Sequence, residues 1–491
     1  MSTQSVITPA ASPRIAVIGA GMSGILSAIK LQEAGYTNVA IYEKAARLGG
    51  TWRDNTYPGL SCDIPSHAYS YSFELNPEWT RHFSPGAEIQ AYFEGVARKY
   101  GIDRRIRFDS EIARAEWRDG KWHLLTKDGH RDTADIVISA TGVLHHPIYP
   151  DIAGLKDFAG PAFHTARWDH SVDLAGKRVG IIGTGSTAIQ IVPAIVDKVG
   201  RLFLFQRTAQ WILPLPNPFY ADNEKAMYRE RPEVLRQTHE FLSQRLVDTF
   251  AQAVIGDQDQ LKMIEDACRT NLETNIKDAE LRRRLTPNYR AACKRLIMSD
   301  DFYPAMQKPN VELVTDAIER IEAKGVRLKT GALVELDVLV LATGFDGHAF
   351  MRPMEIVGLG GRRLSDAWSS ATTAYRSVAM PDFPNFFMLV GPNSPIGNFS
   401  VIRISELQIG YILKLMEAAR QGNHHAIVPR HDATERFNRE LREAMKGTVW
   451  VSGCKSWYLD KAGNPALWPW SFDRFRDEMQ APRLEDFERV A

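Results

Sequence analysis

The sequence lacks the features of a nucleic-acid-binding or membrane-spanning protein. It has no excess of charge, because 60 lysines and arginines stand against 59 aspartates and glutamates and leave a net charge of +1. No basic footprint for nucleic acid is therefore expected. The longest uncharged stretch, residues 383–402, contains three prolines and two glycines, which exclude a bilayer-spanning helix. The expected partner is a small molecule.

Cysteine is also scarce, and no two cysteines form a CxxC pair. The four are Cys62, Cys268, Cys293 and Cys454. This spacing excludes a CxxC dithiol centre and a Cys-rich zinc site, and no metal site is expected. It does not fit a secreted disulfide scaffold either, so reduced thiols and a cytoplasmic location are expected. Residues 1–13 lack the basic and apolar segments of a signal peptide and are expected to form a disordered tail.

What the sequence does contain is a glycine-rich turn between an apolar strand and a helix. The strand covers residues 15–18, the helix 25–34, and a second strand, 39–42, ends at Glu43. The turn contains Gly19, Gly21 and Gly24. Such glycines let the backbone approach a pyrophosphate at the helix N-terminus, and an acid at the next strand end binds a ribose. Glu43 opens the pattern Glu-Lys-x-x-x-x-Gly-Gly, which ends at Gly50 and favours the FAD-binding form of this unit.

The same arrangement recurs later in the chain. Strand 178–182 precedes a glycine-rich turn, a helix through Val196 and a strand over 202–205. The turn residues are Gly183, Thr184, Gly185, Ser186 and Thr187. Arg207 stands 24 residues after Gly183, where the first unit has Glu43. A carboxylate would repel a 2′-phosphate, whereas arginine can pair with it, so this unit is predicted to bind NADPH.

Two further strands, 136–142 and 338–344, both run into Ala-Thr-Gly and are predicted to end the two sheets where the chain crosses between domains. Between them, residues 222–292 carry apolar residues at helical spacing and predict a helical insertion in the second domain. The predicted fold is α/β, with two Rossmann-like dinucleotide-binding domains. The FAD domain comprises residues 14–148 and 345–491, and the NADPH domain residues 149–221 and 293–344.

The segment between the two units carries a motif of its own. It matches FxGxxxHxxxW(P/D) through Phe158, Gly160, His164, Trp168 and Asp169. With this motif the chain resembles the Baeyer–Villiger monooxygenases, the class B flavoprotein monooxygenases, over nearly its whole length. The related heteroatom monooxygenases tend to have Tyr or Phe and then a basic residue at the Trp-Asp position. The resemblance implies that His164 couples the domains and does not touch substrate.

The resemblance implies roles for residues that the motifs alone do not single out. Arg295 is expected beside the flavin as a catalytic residue, Asp63 is expected to orient it, and Lys294 is expected near the NADPH 2′-phosphate. Further FAD contacts are expected from Gly50, Thr51, Trp52, Asp63, Tyr69 and Ile112. Further NADPH contacts are expected from Gln190 and Thr208.

The activity implied by the resemblance is oxygenation of a ketone by O2. NADPH would reduce FAD, the reduced flavin would form a C4a-peroxyflavin protected by retained NADP+, and the ketone would become an ester or lactone. Sulfoxidation is expected as a side activity. Three alternatives remain open: a heteroatom (N/S) monooxygenase, an NADPH oxidase and a nucleotide-sensing binding protein. The sequence does not identify the physiological ketone or the oligomeric state.

Overall fold

The computed structural model describes residues 12–422, 425–460 and 463–490. The tail predicted at residues 1–13 lies outside the described residues, apart from Ser12 and Pro13. The strands, in chain order, are β1 (Ile15–Ile18), β2 (Val39–Tyr42), β3 (Ile106–Arg107), β4 (Ile112–Arg118), β5 (Lys121–Thr126), β6 (Arg131–Ala134), β7 (Ile136–Ser139), β8 (Ala162–His164), β9 (Arg178–Ile182), β10 (Arg201–Phe205), β11 (Ile212–Leu213), β12 (Ile297–Met298), β13 (Val311–Val314), β14 (Ile318–Glu322), β15 (Gly325–Leu328), β16 (Leu333–Glu335), β17 (Val338–Leu341), β18 (Glu355–Val357), β19 (Phe386–Met388), β20 (Ala426–Pro429) and β21 (Phe487–Val490).

The α-helices, in chain order, are α1 (Met22–Glu33), α2 (Thr51–Asp54), α3 (Gly86–Lys99), α4 (Ser186–Ile195), α5 (Asp222–Glu230), α6 (Pro232–Asp248), α7 (Phe250–Ile255), α8 (Gln258–Asn275), α9 (Ala279–Leu285), α10 (Phe302–Met306), α11 (Leu364–Ala367), α12 (Val401–Gln421), α13 (His431–Met445) and α14 (Phe472–Gln480). In the described part of the chain, no helix combines the length and the apolar character needed to cross a bilayer.

Two five-stranded parallel sheets form the centre of the fold. The strand order is β19-β7-β1-β2-β3 in the first sheet and β13-β10-β9-β17-β8 in the second. Strands β1 and β17 are apolar and wholly buried, as expected for parallel strands covered by helices on both faces. The α/β class with two Rossmann-like units, predicted from the sequence, is confirmed.

Each sheet packs its glycine-rich turn against the end of a neighbouring strand. Gly19, after β1, has a φ of 105°, and a Cβ there would lie 2.6 Å from the carbonyl oxygen of Ala140. Gly183, after β9, has a φ of 113°, and a Cβ there would lie 2.3 Å from the carbonyl oxygen of Ala342. Only glycine fits such positions without displacing the neighbouring backbone. The two Ala-Thr-Gly segments therefore close the two turns in the same way.

The chain crosses between the sheets twice, and the two crossings run side by side. The backbone N–H of Ile148 donates to the carbonyl oxygen of Gly344 at 2.9 Å. The ring of His164, at the end of β8, contacts the rings of both Tyr149 and Phe345, with centroid distances of 5.5 and 5.9 Å. The two connections are thus held together at one place.

After the second crossing the chain returns to the first sheet. Strand β19 pairs with β7 in parallel, and helix α12 packs against α1, where the hydroxyls of Ser23 and Ser405 are 3.0 Å apart. Strands β20 and β21 form a separate antiparallel pair. The C-terminal part thereby completes the layer that covers the first sheet.

Helices α5 to α9 fall within the insertion predicted at residues 222–292, and they pack against both units. Leu235 and Val254 belong to the apolar cluster that contains the core of the first sheet. Leu272 and Leu285 belong to the cluster that contains the core of the second sheet. The insertion therefore bridges the two sheets, although in the sequence it interrupts only the second unit.

The expectation of four reduced thiols is wrong. Cys293 and Cys454 form a disulfide, although 161 residues separate them in the sequence. Their Cα atoms are 6.2 Å apart, within the range that a disulfide can bridge. The sequence gives no signal of this pair, because the tertiary fold alone brings the C-terminal segment over Cys293. Cys62 and Cys268 are free and buried.

A buried carboxylate fixes the C-terminal strand to the rest of the fold, and its loss should destabilise the protein. Asp486, 6% exposed, accepts hydrogen bonds from the Tyr375 hydroxyl at 2.5 Å and from Arg436 Nη2 at 2.6 Å. We expect Asp486→Ala to lower the free energy of unfolding by about 2–4 kcal/mol, because it leaves the buried Tyr375 hydroxyl without its acceptor and removes the nearer of the two carboxylates beside Arg436. Denaturant unfolding measures this. The matched control, Asp477→Ala on the exposed face of α14, should change stability by less than about 0.5 kcal/mol. Equal effects of the two substitutions would contradict the prediction.

Candidate active site

A cavity of about 540 Å³ lies where the two sheets and the insertion meet. Most of its lining residues come from loops that follow the strands of the two sheets. The predicted site residues that line it are Gly19, Gly21, Glu43, Gly50, Thr51, Trp52, Asp63, Tyr69, Ile112, Gly185, Ser186, Thr187, Gln190 and Arg295. The structure thus brings the first glycine-rich turn, the second turn and Arg295 to a single cavity.

Other predicted residues lie outside this lining. They are Gly24, Gly183, Thr184, Arg207, Thr208, Lys294, Phe158, Gly160, His164, Trp168 and Asp169. Gly24 is buried in α1, and Gly183 and Thr184 lie in the turn before α4. Thr184 Oγ1 donates to the backbone oxygen of Thr208 at 2.9 Å, and this hydrogen bond connects the second turn to the segment after β10.

Both helices that open at the cavity have N-termini suited to an anion. Helix α1 begins after Gly21 and α4 after Gly185, and neither N-cap makes a side-chain hydrogen bond. Neither helix has an acidic residue in its first turn. The first-turn N–H groups and the positive end of each helix dipole are therefore available to a phosphate. The two helix N-termini therefore offer one phosphate-binding position for each of two dinucleotides.

Glu43 is fixed at the end of β2 and retains capacity for a ligand. Its carboxylate is buried and accepts hydrogen bonds from the backbone N–H of Ala20 at 2.8 Å, from that of Ala45 at 3.0 Å and from Arg53 Nη1 at 2.9 Å. A carboxylate offers about four lone-pair positions, so one remains for a ribose hydroxyl. The buried charge is held in place before any ligand binds.

Two cations without a carboxylate partner lie near the second turn. Arg207 is exposed and stands two residues after the end of β10. Lys294 lies over the ring of Tyr289, 4.4 Å from its centroid. Burial lowers the pKa of Lys294, and the nearby charge of Arg207 lowers it further. In the described residues neither cation has an acidic partner, so an anion such as a 2′-phosphate would relieve their repulsion.

Arg295 and Asp63 form an ion pair at the cavity wall. Arg295 Nη2 donates to Asp63 Oδ2, and the side chain of Tyr458 lines the same cavity close to the guanidinium. Their side chains are 34% and 26% exposed because they border the cavity. The charge of Asp63 raises the pKa of Arg295 above its ordinary value, so the guanidinium stays charged. The cavity therefore contains a fixed positive charge with a fixed direction.

One side chain of the second unit holds the loop that carries Asp63. Gln190, on α4, donates from Nε2 to the backbone oxygen of Ser61 at 3.0 Å and accepts from the Tyr57 hydroxyl at 3.0 Å. A Cβ at Gly59 would lie 2.3 Å from the backbone oxygen of Gln190, so this close approach requires glycine. The second unit thus positions a first-unit loop.

The motif at residues 158–169 lies away from the cavity lining. His164 is buried, and its Nδ1 accepts from the backbone N–H of Ala166 at 3.1 Å. Trp168 packs edge-on against Phe163, and Asp169 accepts from the Ser171 N–H at 2.9 Å. These contacts build the edge of the second sheet and the adjoining turn. They agree with a structural role beside the crossings.

Sequence reasoning missed much of the apolar wall of the cavity. The residues concerned are Leu246, Phe250, Met298, Ile396, Phe399 and Trp457. Leu246 and Phe250 come from the insertion, where the break between α6 and α7 separates them. Their helical spacing was visible, but it predicts only an apolar face and not what that face covers.

Comparisons with known proteins agree with this geometry. A family model described as flavin-binding monooxygenase-like matches residues 12–355. An uncharacterised monooxygenase of Mycobacterium tuberculosis is 48% identical over 476 residues, which cover 97% of this chain and 96% of the relative. A Baeyer–Villiger monooxygenase of Streptomyces coelicolor is 41% identical over 482 residues, covering 97% and 92%. The crystal structure of OTEMO in complex with FAD and NADP has a TM-score of 0.88 at 25% identity, covering 98% of this chain and 99% of OTEMO.

The two unpaired cations give a prediction that needs no turnover. We expect Lys294→Gln to weaken the binding of adenosine 2′,5′-bisphosphate about 10–100-fold, because a charged contact to the 2′-phosphate is lost. Binding of adenosine 5′-monophosphate, which lacks that phosphate, should change less than about twofold by the same argument. Calorimetric titration measures both. Lys446→Gln, at an exposed lysine paired with Glu443, is the control and should change neither affinity. Equal losses for both nucleotides would contradict the placement of the 2′-phosphate.

Proposed function

Since the chain belongs to the flavin-binding monooxygenase-like family and is an FAD- and NADPH-dependent Baeyer–Villiger monooxygenase, we propose that Arg295, held by Asp63, is its central catalytic residue. The observation that carries this proposal is the ion pair at the wall of the cavity that both glycine-rich turns also line. The substrates are O2 and a small molecule, which we propose to be a ketone. The product is then an ester or lactone.

The two nucleotide-binding units are proposed to hold the two cofactors. FAD would lie along Gly19, Gly21, Gly24, Glu43, Gly50, Thr51, Trp52, Tyr69 and Ile112. NADPH would lie along Gly183, Thr184, Gly185, Ser186, Thr187, Gln190, Arg207, Thr208 and Lys294. The open helix ends and the free lone pair of Glu43 support the first assignment, and the unpaired cations Arg207 and Lys294 support the second. When bound, FAD accepts a hydride from NADPH and delivers electrons to O2.

The domain boundaries follow from these assignments. We propose that residues 14–148 and 345–491 form the FAD domain, and residues 149–221 and 293–344 the NADPH domain, with residues 222–292 inserted. The membership of β19 in the first sheet supports the return of the C-terminal part. The pairing of β8 and β13 into the second sheet supports the other pair of ranges.

Arg295 is proposed to stabilise negative charge on the oxygen atoms of the reaction. Its guanidinium is permanently charged, and Asp63 fixes its direction before substrate arrives. A preoriented cation in a mostly apolar cavity stabilises a developing oxyanion without reorganising. Asp63 acts through Arg295 and is a positioning residue. Exclusion of water by the apolar wall strengthens the same interaction.

The apolar wall indicates the class of ketone. Leu246, Phe250, Met298 and Phe399 offer dispersion contacts and no hydrogen-bond partner for a second polar group. We propose a ketone with apolar groups on both sides of the carbonyl, and sulfoxidation of apolar thioethers as a side activity. Polar amines would find no partner on these side chains, which disfavours a heteroatom monooxygenase acting on them.

NADP+ is proposed to remain bound after NADPH has delivered its hydride. The contacts to the 2′-phosphate from Arg207 and Lys294 do not depend on the redox state of the nicotinamide, which supports retention. NADPH is an intracellular reductant, so we also propose that the enzyme works in the cytoplasm.

Product analysis with the purified holoenzyme, NADPH and air tests the proposed reaction. The panel comprises an aryl ketone, a cyclic ketone, a long-chain ketone and an aryl methyl sulfide, with hydrogen peroxide quantified in parallel. Ester or lactone from one of the ketones is the expected result. Sulfoxide with no ester would favour the heteroatom monooxygenase, and peroxide equal to the NADPH consumed with every compound would favour an NADPH oxidase.

Replacing the catalytic arginine should separate the two halves of the reaction. We expect Arg295→Ala to leave anaerobic reduction of FAD by NADPH within about tenfold of wild type, while ester formation falls at least about 100-fold because the oxyanion loses its stabilising charge. Stopped-flow spectroscopy measures the first step and mass spectrometry the second. Arg290→Ala, at an exposed arginine five residues away, is the control and should affect neither. Ester formation at the wild-type rate in Arg295→Ala would refute the assignment.

Shortening the wall supplied by the insertion should change which ketones fit. We expect Leu246→Ala and Phe250→Ala each to shift kcat/KM toward bulkier ketones by about 10-fold, because a loss of several methylene contacts is worth roughly 1–3 kcal/mol. Competition between a small and a bulky ketone measures the ratio directly. Leu242→Ala, one turn before Leu246 on α6 and outside the cavity lining, is the control and should leave the ratio unchanged. An unchanged ratio in both wall variants would place the substrate elsewhere.

A further inference from the structure

The Cys293–Cys454 disulfide joins two irregular segments that both reach the catalytic arginine. Residues 286–296 lie between α9 and β12 and carry Arg295 two positions after Cys293. Residues 452–458 follow α13 and a short 3-10 turn and carry Tyr458 four positions after Cys454. The bond therefore stands immediately beside the place where the two segments meet at the cavity.

Besides the disulfide, the two segments meet through side-chain packing, because Leu296, Cys454 and Tyr458 belong to the same apolar cluster. Tyr458 is 3% exposed and lines the cavity together with Arg295, close enough for the two side chains to interact electrostatically. Among the backbone hydrogen bonds of the described residues, none joins residues 286–296 to residues 452–458. Both segments lack regular secondary structure. Without the disulfide, the position of Tyr458 relative to Arg295 would therefore depend on side-chain packing alone.

We propose that the Cys293–Cys454 disulfide is a positioning element for the oxygenation step, and that its redox state sets the partition of O2 between substrate oxygenation and release of hydrogen peroxide. In the oxidised form the bond holds Tyr458 beside Arg295, which restricts the guanidinium in addition to its pairing with Asp63. In the reduced form Tyr458 withdraws and Arg295 is held by Asp63 alone. This inference rests on the role proposed for Arg295.

The exposure of the two cysteines determines how the bond would be reduced. Cys293 is wholly buried, whereas Cys454 is 7% exposed and is flanked by the exposed residues Gly453 and Lys455. A low-molecular-weight thiolate would attack the Sγ of Cys454 and release Cys293 as the thiol. A second thiol then completes the exchange, so that two external thiols become one disulfide and the protein gains two Cys–SH groups.

The oxidant for the reverse step is hydrogen peroxide. A flavin monooxygenase releases it whenever O2 is reduced without oxygenation of substrate. One cysteine thiolate displaces hydroxide from peroxide to form a sulfenic acid, and the second thiol displaces water from it to form the S–S bond. The net reaction converts two thiols and one H2O2 into a disulfide and two waters. The reduced enzyme, which leaks peroxide, would thereby restore its own coupled form.

The experiment compares the wild-type holoenzyme in its oxidised and reduced forms. Reduction is by a water-soluble phosphine, which is then removed under argon, and peptide mapping with alkylation records the state of Cys293 and Cys454. The readouts are the ratio of peroxide to NADPH consumed, the ester formed from a ketone and the anaerobic rate of FAD reduction. We expect reduction to raise the peroxide ratio at least threefold and to leave the FAD reduction rate within twofold. Added hydrogen peroxide should then restore coupling.

Variants separate the disulfide from other effects. Cys454→Ser should match the reduced enzyme and should not recover with peroxide, whereas Cys268→Ser, at a buried free cysteine of the insertion, should behave as wild type in both forms. Tyr458→Phe should show the raised peroxide ratio with the disulfide intact. Should Cys454→Ser fail to fold, the chemically reduced wild type decides alone. Absence of the disulfide from the peptide map, or equal coupling of the oxidised and reduced wild type, overturns the proposal. Failure of the role proposed for Arg295 would be recognised separately, because Arg295→Ala would then still form ester at the wild-type rate.

Discussion

The ion pair between Arg295 and Asp63 is the interaction on which the rest of the site depends. Asp63 lies in the loop after α2 and Arg295 between α9 and β12, and a charge placed at an apolar wall is costly unless a partner holds it. Asp63 in turn depends on its loop, which Gln190 of the second unit fixes through Ser61 and Tyr57. Correct packing of the two units is therefore a precondition for a correctly aimed guanidinium. The orientation of Arg295 therefore depends on the same contacts that hold the units of the fold together.

The two Rossmann-like units share one local design and differ in charge at one corresponding position. Gly19 and Gly183 meet the carbonyl oxygens of Ala140 and Ala342 in the same manner, and both helices start with open N-termini. The units differ at the next strand end, where a buried Glu43 with three donors corresponds to the exposed Arg207. Glu43 keeps one lone-pair position for a ligand, whereas Arg207 has no carboxylate partner among the described residues. This exchange of charge is the observation that supports the proposal of a ribose at the first position and a ribose phosphate at the second.

Local signals predicted the sheets, the glycine-rich turns and the position of Glu43, because each depends on residues close together in the chain. The resemblance to a known family supplied Arg295 and Asp63, which no spacing rule would have paired across 232 positions. The apolar wall and the Cys293–Cys454 bond were not predicted. Both depend on how the insertion and the C-terminal segment fold back over the sheets, and long-range packing of this kind leaves no periodic trace in the sequence.

The side-by-side crossings between the sheets have a mechanical consequence. The two covalent connections are joined by the hydrogen bond between Ile148 and Gly344. The ring of His164 contacts Tyr149 and Phe345 at the same place, so the two connections restrain the sheets together. The units are also joined elsewhere, because the insertion packs against both sheets and Gln190 holds the loop that carries Asp63. Sliding of one unit past the other would break all of these contacts together. Any widening of the cavity is therefore smallest beside the crossings, where the covalent connections add to the packing.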